Sequence, residues 1–403
     1  MKKHALTGLN IIGFVTAGVG PIILRTLGSN GANVVRIESI KKLDVTRMNA
    51  PFKDNIPDVN RAYGFAHTAP NSYGMTLNMK HPRAGKITAK LVEWADVIIQ
   101  NWRPGVMEKW KLGYEDLKAI KPNIIMVSSS QMGETGPHRN IAAAGPHLAG
   151  LAGFVELTGW PDRPPVSVGV IPDHIAPSYA VTSILAALEY RKKTGKGQFI
   201  DVSQYETSIH FLMPAILDYT VNKRVQRRDG YRAPNAAPHG VYRCKGDDNW
   251  CAVAVFSNSE WEAFCKVIDL PWTRDEKFGT LAGRKSHEDE LNNLIENWTV
   301  EHTAEEVMQK MQQAGVAAGV VRTMGEVIES CPQARHRHYF STINHPVIEE
   351  MILAGNSHIF SRTPYEFNRP GPCLGEHTHH VCTRFLGMSD EEYNEMHNEN
   401  VFE

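Results

Sequence analysis

The first 130 residues alternate short apolar runs with helix-forming stretches, and few folds accommodate that rhythm. Residues 9–14 read as a buried strand, followed by the turn Thr16-Ala17-Gly18-Val19-Gly20-Pro21. Pro21 suits a first helical turn, and residues 22–28 continue as a helix. Further strands are expected at residues 32–38, 96–101 and 123–129, with helices at 85–94 and 114–120. Such a series predicts a parallel sheet with helices on both faces, whose ligands bind at the carboxyl ends of the strands. A helix over residues 177–193 follows, with Arg191-Lys192-Lys193 at its negative end and Gly195 and Gly197 to stop it. Residues 198–203 then return as a strand.

From about Val221 the texture changes. Arg224, Arg227, Arg228, Asp229 and Arg232 form a polar connector. Residues 240–244 and 250–255 alternate like an antiparallel pair, and helices are expected near 260–268, 288–298 and 304–314. The fold expected is α/β: a Rossmann-like large domain (residues 1–220), a small α+β domain (221–330), and a segment, 331–403, returning to the large domain.

The sequence of 403 residues is 42% hydrophobic, enough for a large core, and its net charge of −1 gives no field that would favour nucleic acid or a membrane surface. The start, Met1-Lys2-Lys3-His4-Ala5, is too short and polar before Gly8 for a signal peptide. No apolar run approaches the ~20 residues of a membrane helix. Six scattered cysteines without a C-x-x-C pair read as reduced thiols, so a cytoplasmic location is expected.

Asp173 stands between a Pro-rich, β-branched stretch and the helix over 177–193. A carboxylate at a helix mouth faces unpaired N–H groups and the positive end of the dipole, which should keep it ionised and fit to act as a nucleophile. On position alone a turn or capping role is the commoner one for such an Asp, and the rest of the chain is what favours catalysis. Gly18-Val19-Gly20 with Glu38 downstream imitates a dinucleotide fingerprint, but Ile23 occupies the third glycine position. Asn101-Trp102-Arg103 follows a strand directly, and an Arg there suits a phosphate. His336, His338, His377, His379 and His380 have no ligand partners at metal spacing, so no metal site is expected. Neither a G-x-S-x-G elbow nor a P-loop occurs, which removes the basis for hydrolase or kinase chemistry.

Taken in order, several segments resemble the class III CoA-transferase family, which includes formyl-CoA transferases, carnitine CoA-transferases and acyl-CoA racemases. They are Gly18-Val19-Gly20-Pro21, residues 31–38, Leu77-Asn78-Met79-Lys80, Asn101-Trp102-Arg103-Pro104-Gly105, Gln131-Met132-Gly133-Glu134-Thr135-Gly136-Pro137, Asp173 with residues 184–188, and Gly371-Pro372-Cys373-Leu374-Gly375. The likeness runs from about Leu9 to about His380. It implies an interlocked ring dimer and a covalent aspartyl intermediate on Asp173. CoA would contact Gly18, Val19, Arg36, Leu77, Asn78, Met79, Lys80, Asn101, Trp102, Arg103 and Lys109. Coenzyme A thioester is then a substrate, with no permanently bound cofactor. The partners implied are an acyl-CoA, a free carboxylic acid, and a second copy or a paralogous subunit.

The chain also departs from the family pattern. Ser72-Tyr73-Gly74 replace a basic pair, Ser39 replaces an arginine, and no glycine-rich flap occupies residues 232–238. Ala144-Gly145 replace a polar pair, so a racemase reading lacks its histidine and has only His147 nearby. A CoA-binding partner subunit of a heteromeric transferase is the other alternative, and retention of Asp173 argues against a non-catalytic one. Trp160, Phe154 and residues 142–145 suggest room beside Asp173 for a large acid, aromatic or branched, with succinate as one CoA partner.

Overall fold

A computed structural model describes residues 4–403, so Met1, Lys2 and Lys3 of the polar start lie outside the described residues. Contacts divide the chain into two units. The first takes residues up to 156, 166–226 and 336–403; the second takes 157–165 and 227–335.

In the first unit the elements run β1 (Asn10–Phe14), α1 (Val19–Ser29), β2 (Asn33–Glu38), β3 (Ser72–Thr76), α2 (Ala84–Trp94), β4 (Val97–Gln100), α3 (Tyr114–Ile120) and β5 (Ile125–Ser128). Then come α4 (Gly145–Ala152), α5 (Ile171–Thr194), β6 (Phe199–Asp201), α6 (Gln204–Phe211) and α7 (Met213–Asn222). The six strands pair in parallel in the order β3-β2-β1-β4-β5-β6, so the order reverses between β1 and β4. Strand alternation sends Ile11 and Ile12 to opposite faces. One face packs Ile11, Val34 and Ile99 with Ile23 and Leu27 of α1 and Ala180 and Ile184 of α5. The other packs Ile12, Val35 and Ile98 with Leu91 of α2 and Leu117 of α3. The route into β6 passes so close to β5 that a Cβ at Gly197 would stand 1.9 Å from the Ile124 carbonyl oxygen, which only glycine allows.

One strand, β3, was not anticipated, and the start of one helix moves. The polar, glycine-containing β3 carries no strand signal of its own; the Gly74 amide donates to His377 Nδ1 (3.2 Å) and the Thr76 amide to Thr378 Oγ1 (3.2 Å), partners some 300 residues distant in sequence. Helix α5 begins at Ile171 rather than near 177, because Pro172 sits where a first-turn proline is tolerated and Pro177 lies inside the helix. Pro177 has no amide to offer the Asp173 carbonyl four residues earlier.

In the second unit, β7 (His239–Arg243), β8 (Trp250–Ala254) and, after α8 (Asn258–Ile268), α9 (Glu288–Thr299) and α10 (Ala304–Gln313), β9 (Ala317–Val320) form an antiparallel sheet in the order β7-β8-β9. Its core is aromatic and aliphatic, around Phe264, Phe278, Leu291, Ile295 and Met311. Ser257 with Glu260 and Thr303 with Glu306 form capping boxes that start α8 and α10. The first unit resumes with the hairpin β10 (Phe340–His345) and β11 (Glu349–Ala354), then α11 (Asp390–Asn398). Val381, Met396, Val401 and Phe402 from this last stretch share the apolar cluster of Ile12, Phe14 and Leu77.

Candidate active site

The turn between β1 and α1 is tied from two sides. Asn101, just past β4, accepts from the Thr16 amide through Oδ1 (2.8 Å) and donates from Nδ2 to the Thr16 carbonyl (2.7 Å). Asp44 accepts from the Ala17 amide (3.1 Å) and from the Thr46 amide and hydroxyl. Arg36 in β2 holds Asp44 through an ion pair of 2.5 Å, both side chains buried. Ala17 adopts φ 59°, a left-handed conformation that an alanine keeps only where its surroundings enforce it. These tethers do so, and they hand Gly18 to the start of α1 in a fixed place.

A cavity of about 410 Å³ opens at the carboxyl ends of the strands, where the strand order reverses. Phe14, Ile37, Leu77, Trp102 and Trp110 give it an apolar lining, while Lys41, Lys42 and Lys80 supply cations. The Trp102 and Trp110 rings meet edge to face at 5.9 Å, and Lys42 Nζ lies 5.1 Å from the Trp102 ring centre. Trp102 is oriented from behind: its amide donates to Gln100 Oε1 (2.7 Å), and Gln100 Nε2 donates to Ser128 and to Glu134 (3.1 Å). Burial pushes the Glu134 carboxyl above its ordinary value, and the Ser128 hydroxyl pulls it back. An apolar slot with aromatic walls and three lysines suits an adenine nucleotide with its phosphates.

Asp173 occupies the first turn of α5 and touches the other end of the same β1–α1 turn. A Cβ built at Gly18 would lie 3.1 Å from Asp173 Oδ2, so the absent side chain leaves room for the carboxylate. Thr16 lines the cavity and Gly18 borders Asp173, which places cavity and carboxylate on one three-residue turn. At the start of α1 the Val19 and Gly20 amides have no intrahelical acceptor and are available to a developing oxyanion, whereas in α5 Pro172 has no N–H and the Asp173 amide donates to the Val170 carbonyl (3.0 Å). The helix start favours the ionised form of Asp173, and burial works against it. Burial raises its pKa above the ordinary carboxylate value, and the nearby His174 opposes that only in part. Among the described residues no hydrogen bond reaches the Asp173 side chain, so His174 alone is left to offset the desolvation.

The sequence-derived contact residues separate into groups. Leu77, Asn78, Met79, Lys80 and Trp102 line the cavity, and Gly18 with the buried Val19 begins α1 beside Asp173. Asn101 engages both polar atoms of its side chain on Thr16. Arg36, 1% exposed, acts on Asp44 inside the protein. Arg103 and Lys109 are exposed and lie outside the cavity lining. Lys41, Lys42, Asp44 and Trp110 were not anticipated; the Lys41-Lys42 pair, shortly after Ser39, is the signal that could have found two of them. Phe154 is buried, near the Phe211 ring, and Trp160 belongs to the second unit, where it meets Tyr231. His147 Nδ1 accepts from the Ala144 amide at the start of its own helix (3.3 Å). His377 and His380 flank the Tyr73 ring, and no group of three metal-ligating side chains occurs among the described residues.

Comparison with known proteins gives a consistent outcome. The sequence profile of CoA-transferase family III matches residues 6–378. The chain is 30% identical to a succinyl-CoA–D-citramalate CoA-transferase of Chloroflexus aurantiacus, over 93% of this chain and 92% of that one. It is 26% identical to the beta subunit of a succinyl-CoA–L-malate CoA-transferase from the same organism, over 98% of both. A crystal structure of a CAIB/BAIF family protein from Brucella suis superposes with a TM-score of 0.86 at 26% identity, covering 95% of this chain and all of that one.

Proposed function

This chain belongs to CoA-transferase family III, and from that premise we propose that it moves CoA from succinyl-CoA to a free carboxylic acid through an aspartyl intermediate on Asp173. The observation that carries this reading is the shared turn: Thr16 lines the cavity with its three lysines, and Gly18 stands against the Asp173 carboxylate. A nucleotide seated on Lys41, Lys42, Lys80 and Trp102 would have its pantetheine arm lead past that turn toward Asp173. Arg36, Asn101 and Asp44 then serve the ligand indirectly by holding the turn.

Thioester exchange conserves the acyl activation only if it remains covalent. The Asp173 carboxylate attacks the donor thioester carbonyl, the carbon–sulfur bond breaks, and a mixed anhydride and CoA thiolate result. The thiolate attacks the aspartyl carbonyl and releases the donor acid, leaving an aspartyl-CoA thioester. The acceptor carboxylate attacks that thioester and forms a second anhydride, and the thiolate attacks its acceptor-derived carbonyl. Acyl-CoA departs and Asp173 is an ionised carboxylate again. Each tetrahedral species carries an oxyanion for the unpaired amides beside Asp173.

The two relatives named above act on small hydroxy-dicarboxylic acids, which makes such acids the first acceptors to try. Aromatic and branched acids are the second arm of the same panel. Large apolar side chains exposed on α5 to α7, among them Leu185, Phe211, Leu217 and Val221, support pairing with a second copy in an interlocked dimer. The beta-subunit relative supports a paralogous partner instead. The test is a matrix of acyl-CoA donors against free acids, followed by mass spectrometry. New acyl-CoA formed only when an acceptor acid is present supports transfer; hydrolysis at the same rate without acceptor sinks it.

A further inference from the structure

The family match ends at residue 378, yet the chain beyond it packs against residues that line the cavity. After α11, Asn400 at φ 63° turns the chain back, and the Val401 amide closes on the Met396 carbonyl (3.1 Å). The Val401 carbonyl then accepts from the Asn78 amide (2.8 Å), in the middle of the Leu77–Lys80 lining. Phe402 is buried, stacked 5.1 Å from Tyr393, in the same apolar cluster as Phe14 and Leu77. Glu403 Oε2 lies 3.4 Å from Lys41 Nζ at the cavity. The whole segment is anchored on the start of α2, where Arg83 pairs with Glu395 (2.8 Å) and Glu399 (2.9 Å) and Lys86 pairs with Glu392 (2.8 Å).

We propose that residues 389–403 are a positioning element of the acyl-CoA cavity, with Val401 and Phe402 fixing the 77–80 lining and Glu403 holding Lys41 until a phosphate of the ligand takes its place. This rests on the reading of the cavity as the nucleotide site. None of these residues touches the reacting atoms, so their effect falls on binding and is uniform through the reaction, changing KM and leaving kcat. Glu403 also places a carboxylate near the incoming phosphates, so removing its charge favours the ligand. An exposed ion pair of this kind moves an equilibrium by about two- to fivefold.

The experiment uses the full chain with succinyl-CoA as the probe. Glu403→Gln is expected to lower the KM for succinyl-CoA by about two- to fivefold at low salt, with kcat unchanged and the gain fading as ionic strength rises. Phe402→Ala is expected to raise that KM about fivefold or more, with kcat held within about twofold. Should Phe402→Ala prove poorly folded by circular dichroism, Glu403→Gln alone decides, since its side chain is 44% exposed and outside the core. An unchanged or raised KM in Glu403→Gln overturns the proposal. Lys42→Ala separates the two levels: a raised KM there with no response in Glu403→Gln rejects the role of this segment and keeps the nucleotide site. No response in either variant rejects the nucleotide site itself.

Discussion

Gly18 and Asp173 are complementary in shape: a side chain of one carbon at position 18 would stand 3.1 Å from Asp173 Oδ2 and 3.2 Å from its Cβ. Gly18 has φ −96° and ψ −72°, values any residue adopts, so the glycine is required there for space and not for backbone freedom. Gly18→Ala therefore displaces the Asp173 carboxylate by a few tenths of an ångström without unfolding the turn. Since small misplacements of a reacting group are costly, kcat is expected to fall by about tenfold to hundredfold with the melting temperature nearly unchanged. Steady-state kinetics beside a thermal melt checks this, and unaltered kcat would show that the contact does not set the carboxylate's position.

Asp173→Asn and Asp173→Ala are expected to abolish transfer in correctly folded protein. Hydroxylamine added during turnover with succinyl-CoA should label Asp173 alone, as peptide mapping would show. A label on Glu134, the other carboxyl that burial raises, would move the nucleophile to the end of β5.

The raised pKa of Asp173 has two consequences of opposite sign. With Asp173 as the proposed nucleophile its ionised form is the active one, so activity should be lost on the acid side at a pH above the ordinary carboxylate value, and His174→Gln should move that limb higher still. For stability, the folded state binds this proton more tightly than the unfolded chain. Stability therefore falls as pH rises between the unfolded and folded pKa values, and above the folded value the buried charge remains a constant destabilising contribution. Asp173→Asn should melt higher than the parent at neutral pH, with the gap closing as pH drops through the carboxylate range. An Asn variant that melts lower at pH 7 would mean that some donor compensates the charge.

Arg103 is exposed and directly follows Trp102 of the cavity lining. If it reaches a phosphate of the bound thioester, it does so equally in ground and transition states, so Arg103→Ala should raise the KM for acyl-CoA and spare kcat. A charge-assisted hydrogen bond is worth ~1.5–3 kcal/mol, or about a tenfold to hundredfold weakening. Unchanged KM assigns Arg103 to the solvent and leaves the phosphates to Lys41, Lys42 and Lys80.

The parallel sheet was readable because strands covered on both faces are continuous apolar runs, as in residues 97–99 and 125–127. Strand β3 was not, because its polar residues gain their place from His377 and Thr378. Asp173 was visible from its order among the matching segments, while its raised pKa follows from burial that no local pattern encodes. Arg36 was expected as a ligand contact from the resemblance alone, yet its partner is Asp44, eight residues later on a loop. Lys41 and Lys42 stood in plain view, and only the folded loop shows that they line the cavity beside Ser39.

Transfer and racemisation differ at one carbon. A racemase breaks the α-C–H bond, so an enantiopure 2-substituted acyl-CoA in D₂O would gain deuterium there. A transferase works only at the carboxyl carbon and needs a second acid for net turnover. Ala144 carries no proton-transfer group, and the nearest histidine in sequence, His147, directs Nδ1 to the Ala144 amide as part of its own helix start. No α-deuterium uptake is expected, together with strict dependence on an acceptor acid. His147→Gln should then leave transfer intact, since the ring does no more than close the first turn of α4. Steady α-exchange without acceptor, lost in His147→Gln, would instead identify His147 as a base and make proton exchange the chemistry of this site.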